Sequence, residues 1–417
     1  MSSALHLRAD NIRVRARLSG LIMHKNGSDI TEGPSIGIEI SSHLSAMIDI
    51  CRVICIFPIL YTHFPPYQGF HPVSPLSLDA VMWFFQDCIG RTSLPLLTVI
   101  SGYLAVQQSR RRTWWQQAVH RFVALMVPLI IWDVIAILLN RSRFVGVTHM
   151  SVIDTVNAVT GLAGYPFVTP LYFLRDIFVC SICLPIFTLC LRRARNIVIV
   201  VLALCAAFIQ LRPLFLNSSV PLFFALGCAI ALDPMPFGAR WEGFGHKVWL
   251  AGSALAVWGL KAAVPFATDL AWRKGVIGGM TEGLLTLTAR VAGAILFWLL
   301  AEAIFRSRYA WRMRAFAPFM MFIFCAQSLI IGLIWAVARR LGMDIDSPLF
   351  PLLFFVGPLM VFIVGSAAAV AIGSVSPSLL SILMGGRNPT RQQFARIFTL
   401  LEPDKTGPAA AGRSSVP

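Results

Sequence analysis

The sequence predicts an all-α, polytopic membrane protein with about ten transmembrane helices. Of its 417 residues, 57% are hydrophobic and only 13% are charged, whereas about a quarter of the residues of a soluble domain are charged. The mean hydropathy is +0.73, and apolar segments recur at about the 20 residues that a helix needs to cross a bilayer. So few charged side chains cannot cover a soluble protein of this length, and a soluble enzyme is therefore excluded.

Ten apolar segments have the length of a membrane-spanning helix. Two of them, 196–212 and 216–232, are either a pair of spans or one re-entrant element, and a further apolar stretch at 375–384 either extends the last helix or lies at the membrane surface. The ten predicted spans are 44–64, 81–106, 119–139, 168–190, 196–212, 216–232, 248–266, 279–304, 316–337 and 348–372.

The distribution of basic residues predicts the orientation of these spans. The chain has 35 Lys and Arg against 19 Asp and Glu, a formal net charge of +16. In a soluble protein this excess would suggest nucleic-acid binding, but in a membrane protein basic residues collect in the cytoplasmic loops. With a cytoplasmic N-terminus, the ten spans place 22 Lys and Arg inside and 6 outside. We therefore predict that both termini are cytoplasmic and that the partner is the lipid bilayer, with no nucleic acid.

Polar sequence at both ends sets the limits of the membrane domain. Residues 1–43 are basic and polar, and they predict a disordered cytoplasmic extension. Residues 387–417 are rich in Arg, Pro, Ala, Gly and Ser, and they predict a disordered cytoplasmic tail. The transmembrane domain is therefore expected at residues 44–386.

The cysteines predict neither a metal site nor a disulfide. All nine lie in apolar stretches, where cysteine behaves as a small hydrophobic residue. Cys180 and Cys183 form a C-x-x-C pair, but neither a second pair nor a nearby histidine completes a zinc site.

The first span carries three ionisable residues, and each of them is costly inside a membrane. Asp49 and Arg52 are three residues apart, so they lie on one face of a helix and can form an ion pair. His63 follows Arg52 by eleven residues, which returns to within about 20° of the same face after a rise of roughly 16 Å. Two interpretations fit this stripe: a structural ion pair with a histidine at the membrane surface, or a functional site along one helix face.

Five segments, in order, resemble the motifs of the membrane acyltransferase family 3. The first is Asp49-x-x-Arg52 followed by ten residues and His63, which is similar to the family's first-helix signature. The resemblance covers roughly residues 44–386, and its specificity comes from the order of the segments. The other four segments are Arg91 to Tyr103 with Pro95 and Ser101-Gly102, His120-Arg121 leading to Pro128 and Trp132, Thr169 to Asp176, and Phe223-Phe224 with Gly227.

The chain departs from the family pattern at two positions. Members often carry R-x-x-R before the proline of the third helix, but the second position here is Ala124. Many members end a late helix with a histidine, where this chain has Gln327. An amide at that position can form hydrogen bonds but cannot take up a proton.

The resemblance implies an integral-membrane O-acyltransferase of the bacterial inner membrane. Such an enzyme moves an acyl group, with acetyl as the first expectation, from cytoplasmic acyl-CoA to a carbohydrate hydroxyl of a surface polysaccharide, exopolysaccharide or lipid-linked glycan. Acyl-CoA would be a donor substrate, with no permanently bound cofactor. The glycan acceptor, the bilayer and the machinery of polysaccharide synthesis would be the other partners.

Acyl transfer requires a base for the hydroxyl proton, donors for the developing oxyanion and a site for the anionic donor. We assign the base to His63, because an unperturbed imidazole titrates near neutral pH and this one lies towards the outer leaflet. Arg52 can attract phosphate or the thioester carbonyl, and Asp49 can hold Arg52 charged and oriented.

Six further residues are candidates for substrate binding, each with a structural alternative. Small residues around Ser101 also suit close helix packing, Arg121 also fits a basic anchor near anionic lipid, and Arg175 can simply pair with Asp176. The six candidates are Arg91, Ser101, Tyr103, Arg121, Tyr172 and Arg175.

Two other functions fit the same buried charges. A transporter of lipid or glycan would line its path with them, but it is expected to show matching halves with broken helices, and the sequence has no convincing internal repeat. A scaffold within a polysaccharide synthase assembly would need no catalytic residues at all.

Overall fold

Apolar sequence folds into helix throughout the part of the chain that the computed structural model describes, which is residues 42–65, 70, 74–139, 151–233, 243–266 and 275–387. Within those residues every regular element is a helix. The predicted extension 1–43 and tail 387–417 lie outside the described residues, except for residues 42, 43 and 387, and both stay predictions.

The helices are numbered here in chain order within the described residues. Two π-helical turns, Phe84–Gly90 and Phe122–Met126, connect α2 to α3 and α4 to α5. The helices are α1 Ser42–Thr62, α2 Leu78–Trp83, α3 Arg91–Ser109, α4 Trp114–Arg121, α5 Val127–Leu139, α6 Val152–Thr160, α7 Tyr172–Ile182, α8 Leu184–Phe208, α9 Ser219–Leu232, α10 Phe244–Ala263, α11 Gly275–Phe305, α12 Ala310–Phe316, α13 Met320–Arg340, α14 Phe350–Val375 and α15 Pro377–Leu383.

The number of membrane passes agrees with the sequence. Seven helical runs in the described residues are long and apolar enough to cross a membrane, and the pair α7–α8, bent by 63°, makes an eighth. Helix α8 is itself broken at Ala194, whose φ of −147° and ψ of 50° are not helical. If α8 is divided there and the 14-residue apolar helix α9 is counted, the described residues make ten passes. The prediction of an all-α membrane protein with about ten spans is confirmed.

The break in α8 at Ala194 lies close to the end of α9. Arg195, directly after the break, pairs with Asp233 at the end of α9, with 3.3 Å between Nη1 and Oδ2. The break and the end of α9 therefore lie on the same side of the bundle. A pair of spans and a re-entrant element both begin and end on one side, so this contact fits either alternative for 196–212 and 216–232.

Several helices begin earlier than predicted, and the difference is largest for two spans. The helix expected at 119–139 begins at Trp114, because the Thr113 and Gln116 side chains form a reciprocal capping box at its start. The helix expected at 316–337 is preceded by the separate short helix α12. Because the first turns of these helices contain polar residues, hydropathy alone does not detect where the helices begin.

Helix α1 lies at the centre of the bundle. Of the candidate spans it is the most buried, at 72%, and it contacts α3, α11, α12, α13 and α14. Pro58 lies inside α1, which continues as one helix to Thr62. Because neighbours surround α1, its ion pair Asp49–Arg52 lies beside other helices of the bundle.

Helices α3 and α9 approach each other through a pair of glycines. A Cβ atom on Gly102 would overlap the carbonyl oxygen of Phe224, and one on Gly227 would overlap the carbonyl oxygen of Val99. Small residues allow such close contact between membrane helices. Two of the segments that resemble the family motifs therefore meet, and the glycine of Ser101-Gly102-Tyr103 has a packing role.

Candidate active site

A cavity of about 390 Å³ opens beside the first half of α1. It is called the Arg52 cavity here. Four arginines line it, Arg52, Arg121, Arg314 and Arg387, against the single carboxylate of Asp49. Its apolar wall comes from Ile56, Leu97, Ile100, Leu104, Leu125, Phe173, Leu174, Ile177, Met320, Met321 and Phe324. An apolar pocket with a few charged groups at one end is typical of sites for ligands with both polar and apolar parts.

Asp49 is shared by two of the four arginines. Its Oδ1 accepts a hydrogen bond from Nη1 of Arg52 at 3.1 Å, and its Oδ2 lies 3.9 Å from Nε of Arg314. The first contact confirms that the predicted pair forms. Because one carboxylate neutralises only one of two guanidinium groups, this half of the cavity keeps a positive charge.

The other two arginines, Arg121 and Arg387, form no ion pair with a carboxylate among the described residues. The Nε and Nη2 atoms of Arg121 are buried and have no hydrogen-bond partner there. Arg387 donates from Nη1 to the carbonyl oxygen of Met384 at 3.0 Å. Although Arg387 keeps exposed surface, the loss of water around its guanidinium and the charge of Arg52 lower its pKa to about 10. Buried guanidinium nitrogens without a partner are costly, so the Arg121 side of the cavity is suited to an anion.

Ser101 and Tyr103 are placed differently. Ser101 lines the Arg52 cavity, and its hydroxyl donates a hydrogen bond to the carbonyl oxygen of Leu97 at 2.8 Å. Its oxygen keeps the capacity to accept a hydrogen bond from a ligand. Tyr103 is half-buried, packs against the hydrophobic core and does not line this cavity.

A second group of charges, called the Asp87 cluster here, lies near the other end of α1. Asp87 forms ion pairs with two cations: Nε of Arg91 is 3.1 Å from Oδ1, and Nζ of Lys261 is 3.5 Å from Oδ2. Lys261 also donates to the hydroxyl of Thr286 at 3.2 Å. Asp87 precedes Arg91 by one helical turn, a spacing that could have identified it in the sequence.

His63 directly follows α1 and is half-buried. Burial first, and then the positive charge of Arg91, lower the pKa of its imidazole to about 4. No hydrogen bond joins its ring to another described residue. At neutral pH the imidazole is uncharged, so one ring nitrogen is available to accept a proton.

His63 does not line the Arg52 cavity, although His63 and Arg52 were predicted to lie on the same helix face. The eleven residues between Arg52 and His63 correspond to a rise of roughly 16 Å. The arginines that can attract an anion and the histidine that can accept a proton are therefore separated along one helix.

Arg175 and Tyr172 hold the chain that connects α8 to α9. Arg175 is buried, pairs with Asp176 at 2.9 Å and donates to the carbonyl oxygens of Leu162 and Pro213 at 3.0 and 2.7 Å. The hydroxyl of Tyr172 accepts a hydrogen bond from Asn217 at 3.1 Å. Neither residue lines the Arg52 cavity, and substrate binding by either stays a prediction.

Two buried positions mark the departures from the family pattern. The backbone of Ala124 packs against Gly385, because a Cβ atom on Gly385 would overlap the carbonyl oxygen of Ala124. Gln327 is fully buried, and neither atom of its amide has a hydrogen-bond partner among the described residues.

Arg314 and Arg387 are the cavity residues that sequence reasoning missed. Both were counted among the basic residues of cytoplasmic segments, and neither lies within a predicted span. Only the folding of α12 and of the turn after α15 brings them to α1.

Comparison with known proteins gives two matches. A family model described as an acyltransferase domain matches residues 46–375. The succinoglycan biosynthesis protein ExoH of Rhizobium meliloti (strain 1021) is 24% identical over 370 residues, which cover 84% of this chain and 95% of that protein. No solved structure matches the chain.

Proposed function

The chain belongs to the acyltransferase family whose model covers residues 46–375, and we propose that it transfers an acyl group from acyl-CoA to a carbohydrate hydroxyl. The observation that carries the proposal is the Arg52 cavity, which lies on the same helix as a neutral, half-buried histidine. Membership of an enzyme family favours this function over transport or scaffolding, since neither needs acyl chemistry.

The Arg52 cavity supports acyl-CoA as donor. The phosphates of coenzyme A are anionic, and guanidinium groups bind phosphate through paired charge-assisted hydrogen bonds. A long arm separates these phosphates from the thioester. The separation between Arg52 and His63 along α1, roughly 16 Å, is suited to a donor with an anionic end and a distant reactive end.

The acceptor in our proposal is an exopolysaccharide or its lipid-linked precursor. Support comes from the similar protein ExoH, which is named for succinoglycan biosynthesis. We propose that the Arg52 end of α1 faces the cytoplasm of a bacterial inner membrane, where acyl-CoA is found, and that the His63 end faces outward. This orientation agrees with the larger number of basic residues in the segments assigned to the inside.

The proposed reaction is a direct transfer. The neutral imidazole of His63 accepts the proton of the acceptor hydroxyl while that oxygen bonds to the thioester carbon. The carbon–sulfur bond then breaks, and the leaving thiolate takes the proton from the imidazolium. The products are an ester on the sugar and free coenzyme A. Arg91, beside His63, can stabilise negative charge on the carbonyl oxygen.

The proposal is tested by measuring the acyl content of surface polysaccharide in a deletion strain that carries variants of the gene. We expect the wild-type gene and the control His246→Ala, an exposed histidine at the start of α10, to restore acylation. His63→Ala and Arg52→Ala should not restore it. Full restoration by His63→Ala at normal expression would remove that residue from the mechanism.

The same samples identify the acyl group. Mass spectrometry of the released substituents distinguishes acetyl, which we propose, from succinyl and other acyl groups. Purified full-length protein in nanodiscs, supplied with isotopically labelled acetyl-CoA and the deacylated polysaccharide, then tests the donor directly. Transfer of label to the wild-type reaction alone is the expected result, and no transfer from any acyl-CoA would contradict the proposal.

A further inference from the structure

The four arginines of the Arg52 cavity divide into two unlike pairs. Arg52 and Arg314 share the carboxylate of Asp49. Arg121 and Arg387 have no carboxylate partner among the described residues, and the charge of Arg387 acts on Arg121. Neighbouring guanidinium groups repel each other, so an anion bound between these two would be stabilised by both.

Arg387 reaches the cavity because the chain turns sharply after α15. Gly385 and Gly386 have φ angles of +70° and +80°, which favour glycine. The amide N–H of Gly386 donates to the carbonyl oxygen of Ser381 at 2.8 Å, which closes the end of α15. Residues 384–387, called the C-terminal turn here, therefore have a defined conformation.

The C-terminal turn is fastened to the helix that carries Arg121. Gly385 packs directly on the backbone of Ala124, three residues after Arg121. On the next turns of the same helical run, the indole N–H of Trp132 donates to the carbonyl oxygen of Leu383 at 3.2 Å. These contacts fix the position of Arg387 beside Arg121.

We propose that the C-terminal turn is part of the donor site, in which Arg387 and Arg121 together bind a phosphate group of the donor. The identity of that donor as acyl-CoA rests on the proposed function above. Arg387 is thus a binding residue, and Gly385 is a positioning residue that acts through it.

The pair has the chemistry that a phosphate group requires. Each guanidinium presents several N–H donors in a fixed plane and can bind two phosphate oxygens at once. Arg52 and Arg314 are already engaged with Asp49, whereas Nε and Nη2 of Arg121 are buried without a hydrogen-bond partner. A phosphate between Arg121 and Arg387 would satisfy them and remove the repulsion.

The test uses full-length protein in nanodiscs and two probes, coenzyme A and inorganic pyrophosphate. We expect Arg387→Ala and Arg121→Ala each to weaken coenzyme A binding about ten-fold or more, because each removes a charged hydrogen-bond donor. Arg387→Lys should be intermediate, since it keeps the charge and loses the fork. Arg312→Ala, an exposed residue that does not line the cavity, is the control.

A second pair of variants tests position rather than charge. Gly385→Ala should displace the turn from Ala124 and weaken coenzyme A binding as Arg387→Ala does. Its control, Gly342→Ala, introduces the same kind of left-handed strain at a φ of +74°, but in open space, and should bind normally. S-acetylpantetheine is a donor without phosphate groups, so wild type and Arg387→Ala should turn it over equally. If Arg387 only maintained the structure, the variant would lose activity with this donor as well.

The outcomes separate the two proposals. If Arg387→Ala binds coenzyme A as wild type does while Arg121→Ala is weakened, the role of the C-terminal turn is overturned and the donor stands. If wild-type protein does not bind coenzyme A, the proposed donor is overturned. Pyrophosphate then tests the role of the C-terminal turn independently of the donor. Binding to wild type that is weakened in Arg387→Ala supports that role. Equal binding to wild type and Arg387→Ala, or binding to neither, overturns it.

Discussion

The Arg52 cavity and the Asp87 cluster lie towards opposite ends of α1 and balance buried charge differently. Four arginines in the cavity share the single carboxylate of Asp49. In the cluster, Asp87 forms ion pairs with both Arg91 and Lys261, and the neighbouring His63 is neutral at pH 7. The cavity carries four cations against one carboxylate, which favours an anionic ligand, whereas the cluster carries two cations against one carboxylate beside an uncharged imidazole.

Arg175 shows what a buried arginine with a structural role looks like. Its guanidinium is paired with Asp176 and donates to the carbonyl oxygens of the connection before α9. Only its Nε has no hydrogen-bond partner among the described residues, whereas Arg121 leaves both Nε and Nη2 buried without one. Arg121 also has no carboxylate partner there, so it is the better candidate for binding an anion.

The largest expected effect separates the two ends of α1. His63→Ala should reduce kcat by about 100-fold or more, the usual contribution of a general base, with little change in coenzyme A binding. Arg52→Ala should mainly weaken binding of the donor. Steady-state kinetics together with direct titration of coenzyme A checks both. Equal losses of binding in the two variants would contradict the division of roles.

The next effect tests the contrast between satisfied and unsatisfied arginines. Arg175→Ala should destabilise the protein by about 3–5 kcal/mol, because it leaves Asp176 buried without its partner. Arg121→Ala removes an uncompensated charge and should leave the ligand-free protein as stable as wild type or more so. Thermal unfolding in detergent without ligand measures both. A similar loss of stability in the two variants would show that Arg121 is structural.

The smallest effect concerns pH. With a pKa of about 4, His63 is neutral above that value, so the acid limb of kcat/KM should lie near pH 4 rather than near 6.5. Arg91→Ala removes a nearby positive charge that disfavours the imidazolium, so the pKa of His63 should rise and the acid limb should move to higher pH. An unchanged limb in Arg91→Ala, or a wild-type limb near 6.5, would place the titrating base elsewhere.

Much of the fold could be predicted from the sequence, because membrane helices are long and apolar. The spans, the pairing of Asp49 with Arg52 and the common stripe with His63 all depend on residues close together in the chain. The starts of α4 and α12 could not be predicted from hydropathy, because polar first turns hide them. The site was predicted in part: Asp49, Arg52, Ser101 and Arg121 line one cavity, whereas His63, Arg91, Tyr103, Tyr172 and Arg175 lie outside it.

By itself, the sequence determined the class of protein and the spacing of charges along single helices, because backbone geometry sets helical periodicity regardless of neighbours. Only the tertiary structure decided which charges meet. In the folded protein Arg387 and Arg121 line one cavity, Lys261 forms an ion pair with Asp87, and Gly102 packs on the backbone of α9. Those contacts link residues far apart in the chain, and they depend on how helices pack against one another, which no local pattern records.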